Sequence, residues 1–385
     1  MKVCFLGLDN LPVLAPEYRQ HTIGGESVQQ TLLARALAWR GHEVSMVVAD
    51  YGQSDGAQWD GIRTYRAYAP TAGVPGLRFF HPRWTGIWSA LARANADLYY
   101  ASCAGMHVGL LAMFCRLHRR RFVFRIASDS DCDATRLLVR YARDRWLYAY
   151  GLRRADAILA QSAAQCTAMA RNYGVSSRMA RMLVEMRPPA AQRDIDVLWV
   201  SNIRRVKRPD RVLELASRLP ETQIHMVGGP LPGEDALYED VARAAAARAN
   251  LRHHGRLSYW DAGEFYGRAK VLLNTSDVEG FPNSYLQAWA RGVPVVTLID
   301  PDGVIEREGL GVAARTPEDL GGALRGLLQD ANGWRAASER CRSYVQREYG
   351  EDSVLAPYLE TFARVLRARR GAAAPALAPH DAGHA

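Results

Sequence analysis

The stretch Asp277–Val296, DVEGFPNSYLQAWARGVPVV, combines a turn with the start of a helix. An apolar β-type run ends just before it, near Asn274, and a helical pattern begins after the turn, near Asn283 or Ser284. This arrangement directs unpaired backbone N–H groups and the positive end of the helix dipole at any ligand above the strand end. The sequence therefore predicts an anion site, with the carboxylate of Glu279 in the turn beside it.

A carboxylate beside an anion site needs a reason. Glu279 can accept hydrogen bonds from sugar hydroxyls while the N–H groups hold a diphosphate. Gln287, eight residues further on, lies on the helix that follows. The alternative is an acidic turn before a buried helix, with no ligand at all.

Strands and helices alternate on both sides of this stretch. The second half has β-type runs at 195–200, 222–227, 271–274 and 294–298, and helical patterns at 208–217, 234–249 and 284–291. The first half has β-type runs at 2–8, 43–49, 98–102, 121–126 and 157–161, and a helix is predicted over 27–40. This rhythm is typical of βαβ units and parallel sheets.

A proline-broken stretch at 186–194, MRPPAAQRD, separates the two halves and suits an interdomain linker. We therefore predict an α/β protein of two Rossmann-like, doubly wound domains, residues 1–190 and 194–350, that face each other across a cleft. Ligands bind beyond the carboxyl ends of such strands and between domains, which places the site in the cleft. The Ala/Pro/Gly-rich residues 371–385 are predicted to be a disordered tail.

The charge of this 385-residue chain is unevenly distributed. The formal net charge is +9, but residues 1–193 carry 25 Lys/Arg and 14 Asp/Glu whereas the rest carries 24 and 26. A basic first half suggests an acidic partner, which could be a phosphorylated ligand, an anionic membrane surface or nucleic acid. Only three basic residues are lysine, a bias that a GC-rich genome produces without selection, so arginine abundance is weak evidence for nucleic acid.

Cysteine spacing and hydropathy point to the cytosol. The six cysteines form no C-x-x-C pair and no zinc-like cluster, which indicates buried thiols in a reducing compartment. The first residues, MKVCFLGL, resemble a strand rather than a signal peptide, and no apolar stretch reaches the length of a spanning helix. We expect a cytoplasmic protein that is at most peripheral, on the inner face of the membrane.

The motif at 279–296 resembles the E-x7-E signature of the retaining glycosyltransferases of family 4, which have the two-domain GT-B fold. In that family the first Glu, matched by Glu279, contacts hydroxyls of the donor sugar, and the second contacts the nucleotide ribose. Gln287 occupies the second position here; its amide can hydrogen-bond a diol but carries no charge. The resemblance implies further donor contacts from the turn and helix start: Gly280, Phe281, Pro282, Asn283 and Ser284.

A second segment, WVSNIRRVKRPDRVLELA at 199–216, supports the resemblance. Family members usually have Gly-Arg-Leu after this strand and a Lys five residues after the Arg, and the two cations clamp the donor diphosphate. Lys207 matches that Lys and is the second predicted catalytic residue, but Asn202 stands in place of the Arg. The lost charge weakens donor binding unless Arg204 or Arg205 reaches the diphosphate instead.

The first domain contributes weaker matches. Residues 21–44 resemble the family's glycine-rich loop and first helix, where Gly24 and Gly25 allow a close approach to the donor. An ordinary structural turn is the alternative, and Glu26 is a candidate on the acceptor side. In the second domain the backbone near Leu257 is expected to meet the nucleotide base, and a terminal helix at about 353–370 is expected to pack back on the first domain.

One departure from the family concerns the reacting sugar. Many members have a His just after the strand that we predict at 121–126, whereas this chain has Ala127 or Ser128 there. The acidic residues that follow, Asp129 and Asp131, are candidates to replace the His as polar contacts on the acceptor side. Short acidic loops are more often solvated or capping, and that alternative stays open.

Arginine and aromatic residues alternate in RLLVRYARDRWLYAYGLRR, 136–154, and the nearby 116–125 is also rich in arginine. Helical spacing of apolar residues predicts a helix packed on the core with a solvated basic face. The other interpretation is that this segment docks on anionic lipid so that the protein can reach a lipid-linked acceptor. Nucleic acid is not expected as a partner, because no binding module accompanies the charge.

Together these observations predict a retaining, metal-independent glycosyltransferase of the hexosyltransferase type. It would move a sugar from a nucleotide diphosphate sugar to a glycan or lipid-linked acceptor hydroxyl, in surface polysaccharide or glycoconjugate biosynthesis, with no cofactor besides the donor. A catalytically inactive nucleotide-sugar binding protein or partner subunit is the alternative, because three expected polar residues are substituted. The donor base, the sugar and the linkage position are not readable from the sequence.

Overall fold

A computed structural model describes residues 1–21, 23–186, 192–231 and 233–371, with side chains up to residue 368. Most of the predicted linker (187–191) and the predicted tail beyond Gly371 lie outside the described residues. The described chain forms two parallel β-sheets covered by helices on both faces, which confirms the α/β prediction.

The first sheet is built from residues before 180. Its strands are β1 (Lys2–Leu6), β2 (Glu43–Val48), β3 (Gln58–Trp59), β4 (Ile62–Arg66), β5 (Leu98–Ser102), β6 (Arg121–Arg125), β7 (Ala157–Ala160) and β8 (Arg178–Met179). Their order is β3-β4-β2-β1-β5-β6-β7-β8, and every pair is parallel except β3 with β4. The strand order reverses direction between β1 and β5, which is where ligands bind in doubly wound sheets.

The second sheet repeats this plan. Its strands are β9 (Ile195–Val200), β10 (Ile224–Val227), β11 (Leu251–His253), β12 (Ala269–Asn274), β13 (Val295–Thr297) and β14 (Gly311–Ala313). The order is β11-β10-β9-β12-β13-β14, all parallel, with the reversal between β9 and β12. The four central strands are mostly buried, as expected for a parallel sheet with helices on both faces, whereas the edge strands β11 and β14 are more exposed.

Helices connect the strands. In the first domain they are α1 (Leu11–Leu14), α2 (Gly25–Trp39), α3 (Thr85–Ala94), α4 (Met106–Leu117), α5 (Ala142–Leu152) and α6 (Ala163–Tyr173). In the rest of the chain they are α7 (Pro209–Arg218), α8 (Asp235–Ala246), α9 (Tyr259–Arg268), α10 (Asn283–Ala290), α11 (Val304–Glu308), α12 (Leu320–Gln329), α13 (Ala331–Glu348) and α14 (Glu351–Gly371). Helix α2 ends where predicted, because Gly41 takes a left-handed conformation with φ +77°.

The last helix returns to the first domain. In α14, Tyr358 and Phe362 are buried, Phe362 packs on Tyr100 of β5 with ring centroids 6.2 Å apart, and the Tyr358 hydroxyl donates to the Arg181 carbonyl at 2.9 Å. Arg40 at the end of α2 forms ion pairs with the first residues of α14. As a result, one apolar core runs without interruption from the first sheet through α14 into the second domain.

One prediction of local structure is wrong. The segment 136–154 is not a single helix: α5 begins only at Ala142, and residues 136–140 are in no helix. Among the described residues, no helix combines the length and the apolar character needed to cross a membrane.

Candidate active site

The predicted anion site lies where β12 ends and α10 begins. Glu279, in the turn between them, is largely buried, with its side chain 13% exposed. Its Oε1 accepts hydrogen bonds from Lys207 Nζ at 2.6 Å, Ser276 Oγ at 2.7 Å and Asn274 Nδ2 at 3.3 Å. One carboxylate oxygen therefore gathers three donors, and the two predicted catalytic residues form an ion pair.

Lys207 lies in the loop after β9, and residues that follow β12 hold this loop in place. The Lys207 carbonyl accepts from Thr275 Oγ1 at 2.8 Å, and Asp277 N donates to the Val206 carbonyl at 2.9 Å. Arg208 takes a left-handed conformation, φ +50°, and Pro209 then starts α7, where a missing N–H costs nothing. These contacts join the Lys207 loop to the Glu279 turn as one unit.

The arginines around Lys207 are not equivalent. Arg208 and Arg211 both pair with Asp277, at 3.4 and 2.8 Å, so they are already engaged. Arg204 is half-buried and Arg205 is exposed, and neither side chain forms a hydrogen bond or salt bridge with a described residue, although the Arg204 carbonyl accepts from Lys207 N at 3.0 Å. Asn202, which stands where the family has its Arg, donates instead across the cleft to the Ile23 carbonyl at 3.1 Å. Arg204 and Arg205 are therefore the two cations of this loop whose side chains are available for an anion, and Arg204 is the more buried of the two.

The glycine loop of the first domain lies directly against α10. The Gly25 carbonyl accepts a hydrogen bond from Asn283 Nδ2, and Gln29 Nε2 donates to Asn283 Oδ1 at 2.8 Å. A Cβ on Gly25 would stand 2.6 Å from Asn283 Nδ2, whereas one on Gly24 would meet nothing within 4 Å. A side chain at position 25 would therefore displace the Asn283 amide from the Gly25 carbonyl, whereas one at position 24 would disturb nothing.

Two glutamines of the first domain complete the contact with the Glu279 turn. Phe281 N donates to Gln161 Oε1 at 3.3 Å, and a Cβ on Gly280 would lie 3.0 Å from Gln165 Nε2. Both glutamines follow β7 and were not predicted. The spacing of Ser162 and Gln165 does match a helix-capping motif, and the Ser162 hydroxyl caps α6 through Gln165 N at 3.2 Å.

Gln165 fixes the carboxylate of Asp129. The Oε1 of Gln165 accepts from Gln161 N at 2.9 Å, and Nε2 donates to Asp129 Oδ1 at 3.0 Å. Because a backbone N–H can only donate, it determines which end of the amide faces Asp129. Burial raises the pKa of Asp129, the Gln165 bond lowers it, and the charges of Asp302 and Glu279 raise it further. Asp129 is thus close enough to Glu279 for their charges to interact across the cleft.

The other two acidic candidates of the first domain are engaged within it. Asp131 Oδ2 accepts from Ala127 N and Ser128 N at 3.0 and 3.1 Å, and burial raises the pKa of Asp131 to about 6. Glu26 pairs with the fully buried Arg125 at 3.2 Å. The described contacts give both carboxylates structural partners, and their predicted role toward an acceptor stays a prediction.

The remaining donor-side predictions lie on one face of α10 or near it. Asn283, Ser284 and Gln287 are half-exposed, whereas Tyr285, Leu286 and the residues from Ala288 to Ala290 are buried. Pro282 is buried at the start of the helix, and Leu257 is half-buried in the loop after β11. Residues three and four apart share a helix face, so Gln287 lies on the same side as the helix start. Among the described residues, no three His, Cys, Asp or Glu side chains are arranged to hold a metal ion.

Comparisons with known proteins agree with this geometry. The model of the family described as glycosyl transferase 4-like domain matches residues 24–184, and the model described as glycosyl transferases group 1 matches residues 194–330. The chain belongs to the GT-B glycosyltransferases. The two matches meet at the boundary between the two sheets, so each covers one domain of the GT-B fold. The exact family and the E-x7-E signature stay predictions.

Individual GT-B proteins resemble the chain at low identity. A D-inositol 3-phosphate glycosyltransferase of Geodermatophilus obscurus is 26% identical over 238 residues, 53% of this chain and 52% of that protein, so the chain spans about half the length of this relative. The structure of sucrose-phosphate synthase from Thermosynechococcus elongatus superposes with a TM-score of 0.76 at 17% identity, covering 95% of this chain and 99% of that one. Anabaena HepE, solved with UDP and glucose, gives 0.70 at 15% identity, covering 94% and 100%. These two structures establish the likeness of fold.

Proposed function

We propose that the protein is a retaining glycosyltransferase that moves a sugar from a nucleotide diphosphate sugar to a hydroxyl of a glycan or lipid-linked acceptor. The observation that carries this proposal is the Lys207–Glu279 ion pair at the carboxyl ends of β9 and β12, beside the start of α10. A cation and a carboxylate in contact match the two ends of the scissile bond: a diphosphate on one side and sugar hydroxyls on the other. The complex of HepE with UDP and glucose supports this class of donor.

In the reaction, the bond between the anomeric carbon and the diphosphate oxygen breaks, and the acceptor oxygen bonds to that carbon. Negative charge develops on the leaving diphosphate, where Lys207, Arg204 and the N–H groups at the start of α10 stabilise it without reorganisation. Glu279, released from Lys207, accepts hydrogen bonds from the sugar. The leaving diphosphate takes the proton of the acceptor hydroxyl, which gives front-side displacement and needs no metal ion.

The first domain would supply the acceptor side of the reaction. Asp129 lies across the cleft from Glu279, just after the position where the sequence departs from the family's His, and Gln165 holds its orientation. A carboxylate here can accept a hydrogen bond from the acceptor hydroxyl or stabilise positive charge on the reacting sugar. Glu26 and Asp131 would then contribute to the acceptor side indirectly, by stabilising the part of the first domain that lines the cleft.

The experiment has two parts. A thermal-shift screen of UDP, GDP, ADP and TDP sugars identifies the donor, since a ligand that binds the folded state raises its apparent stability. Release of nucleoside diphosphate is then followed for the wild type and for Glu279→Ala, with Glu308→Ala on the far end of α11 as a matched control. We expect Glu279→Ala to lose at least a hundredfold in rate, as for removal of one preorganised charge, and the control to keep it.

Near-normal turnover by Glu279→Ala would refute the assignment of the site. Binding of a nucleotide sugar without release or transfer, across a range of acceptors, would favour the alternative of an inactive binding subunit. The substitutions of the family's Arg, His and second Glu motivate that alternative, whereas the contact between Lys207 and Glu279 argues against it.

A further inference from the structure

The first domain carries an exposed surface in which large apolar side chains lie among arginines, which we name the arginine–apolar face. It comprises residues 74–83, which include most of the helical turn Phe79–Trp84 before α3, and residues 136–146, which include the first turn of α5. Six large apolar residues of these segments are between 51% and 70% exposed: Val74, Leu77, Phe80, Leu138, Tyr141 and Trp146. Such a concentration marks an interaction site rather than ordinary surface.

The local backbone explains why these side chains point outward. Residues 136–140 belong to no helix or strand, and exposed and buried residues alternate along them. Leu137 and Val139 are buried, whereas Arg136, Leu138 and Arg140 face solvent. The buried pair anchors the segment to the first domain, and the outward set combines two cations with an aliphatic side chain.

The two segments form one continuous face. The guanidinium of Arg143 lies over the ring of Phe79, 3.3 Å from its centroid. Both segments line a single open pocket of about 420 Å³, to which Gly76, Arg78, Tyr141 and Arg143 contribute. A ligand surface that meets one segment therefore also meets the other.

The face is strongly positive. Its two segments contain six arginines and a single acidic residue, Asp144, which is turned toward Arg143 Nε at 2.9 Å. Arg78 and Arg140 form no salt bridge with any described residue. The charge is thus directed outward and is available to an anionic partner.

The face also lies beside the cleft. The loop with residues 74–83 follows the carboxyl end of β4, and the segment 136–146 follows the carboxyl end of β6. Carboxyl ends of parallel strands lie at one edge of a sheet, and in the first sheet that edge carries Asp129, Gln161 and the glycine loop. The face therefore flanks the side from which an acceptor would enter.

We propose that the arginine–apolar face binds the surface of an anionic lipid bilayer. Trp146 and Tyr141 have the amphipathic rings that favour the membrane interface, the aliphatic side chains enter the headgroup region, and the arginines bind lipid phosphates. The exposed aliphatic side chains Val74, Leu77 and Leu138 have no role on nucleic acid, and this favours a bilayer. When the protein is bound to a bilayer through this face, its cleft opens toward the membrane surface. The proposal does not depend on which sugar the protein transfers.

The test is co-sedimentation of the full chain with two kinds of vesicle, phosphatidylcholine alone and an equal mixture of phosphatidylcholine and phosphatidylglycerol. We expect the wild type to partition onto the mixed vesicles and to be released by high salt. The variant R136E/R140E/R143E is expected to lose about a hundredfold in partitioning, since each arginine contributes severalfold at an anionic surface. The matched control R218E/R325E/R335E makes the same charge change on the second domain and is expected to bind as the wild type does.

A second variant, L138S/W146S, removes apolar contact without changing charge. We expect it to bind mixed vesicles at least tenfold more weakly while its thermal melting curve stays that of the wild type, and it carries the test if the charge variant fails to fold. The proposal is overturned if the wild type ignores phosphatidylglycerol content, if the control variant loses binding as much as the face variant, or if L138S/W146S binds unchanged. A wild type that sediments with neither vesicle but binds a protein or nucleic acid through this face also overturns it.

Discussion

Replacing Glu26 by Gln tests the buried ion pair behind the glycine loop. The Arg125 guanidinium is 1% exposed, and its Nε and Nη2 have no hydrogen-bond partner in the described structure. Glu26 is the only carboxylate that pairs with it among the described residues, at 3.2 Å. The Glu26→Gln substitution would therefore leave only neutral groups in contact with a buried cation that cannot lose its proton.

The expected cost follows from this geometry. Removing one partner of a buried ion pair destabilises a protein by about 3–5 kcal/mol, because the remaining charge stays in a low-dielectric environment. For a domain of this size, that lowers the melting temperature by roughly 6–20 °C. Arg125→Met is expected to cost less, since burial already raises the pKa of Glu26 and the carboxyl can bind a proton. The double variant E26Q/R125M removes both charges and is expected to recover most of the loss.

Thermal unfolding of the four proteins, monitored by circular dichroism, provides the measurement. Glu43→Gln is the matched control: Glu43 pairs with Lys2 at 3.0 Å, but both side chains are more than half exposed, so less than about 1 kcal/mol is expected. The reasoning fails if Glu26→Gln melts within about 2 °C of the wild type, or if the double variant is no more stable than Glu26→Gln alone. If the double variant is stable but transfers no sugar, Glu26 also has the acceptor-side role predicted for it.

Two further predictions concern other residues on the first domain's side of the cleft. The pKa of Asp131, raised by burial to about 6, lies above its unfolded value, so its contribution to stability is complete below about pH 4 and is lost as the pH rises through 6. Asp131→Asn keeps an oxygen for the two backbone donors but cannot ionise. In urea unfolding we expect the free energy of unfolding of Asp131→Asn, relative to that of the wild type, to be about 2–3 kcal/mol higher at pH 7 than at pH 4. The same difference between the two proteins at both pH values would contradict this. Gln165→Leu releases Asp129 and is expected to lower kcat roughly tenfold or more with a shifted pH–rate profile, whereas Gln165→Asn on the same helix should restore part of the rate. Unchanged kcat and pH profile in Gln165→Leu would show that Gln165 does not act through Asp129.

The fold could be predicted from the sequence because each strand of a buried parallel sheet leaves a local pattern in the sequence. Its strands are buried on both faces and appear as short apolar runs, and those at Leu98–Ser102 and Ile195–Val200 agree with the structure at both ends. Five strands were missed: β3, β8, β11 and β14 have only two or three residues and give no readable pattern, and β4 (Ile62–Arg66) contains two arginines that interrupt its apolar run.

The error at 136–154 has a physical cause. Leu137 and Tyr141 are four residues apart, which fits a helix, but Leu137 and Val139 are two apart, which fits an extended chain. Both periods are present in the sequence, and only the packing of Leu137 and Val139 on the first domain decides between them.

The residues of the candidate site likewise fall into those that the sequence could identify and those that it could not. Glu279 and Lys207 belong to local motifs, so the sequence identified both, although their 2.6 Å contact joins loops 72 residues apart. Gln161 and Gln165 could not be found, because their function depends on partners 120 and 36 residues away. The capping role of Asp131 was readable, since Ser128 and an acidic residue three positions later form a capping-box pattern.

The return of α14 to the first sheet has a consequence for how the protein is made. Tyr358 and Phe362 cover Tyr100 and the buried guanidinium of Arg125, yet they are translated after the whole second domain. At ordinary rates of synthesis, the roughly 165 intervening residues take on the order of ten to thirty seconds. During that time the first domain has left the ribosome, and the part of its sheet near Tyr100 that α14 covers is still without that helix. The first domain therefore completes its core only after the second domain has been synthesised, and a chain truncated before α14 would lack part of the core that the two domains share.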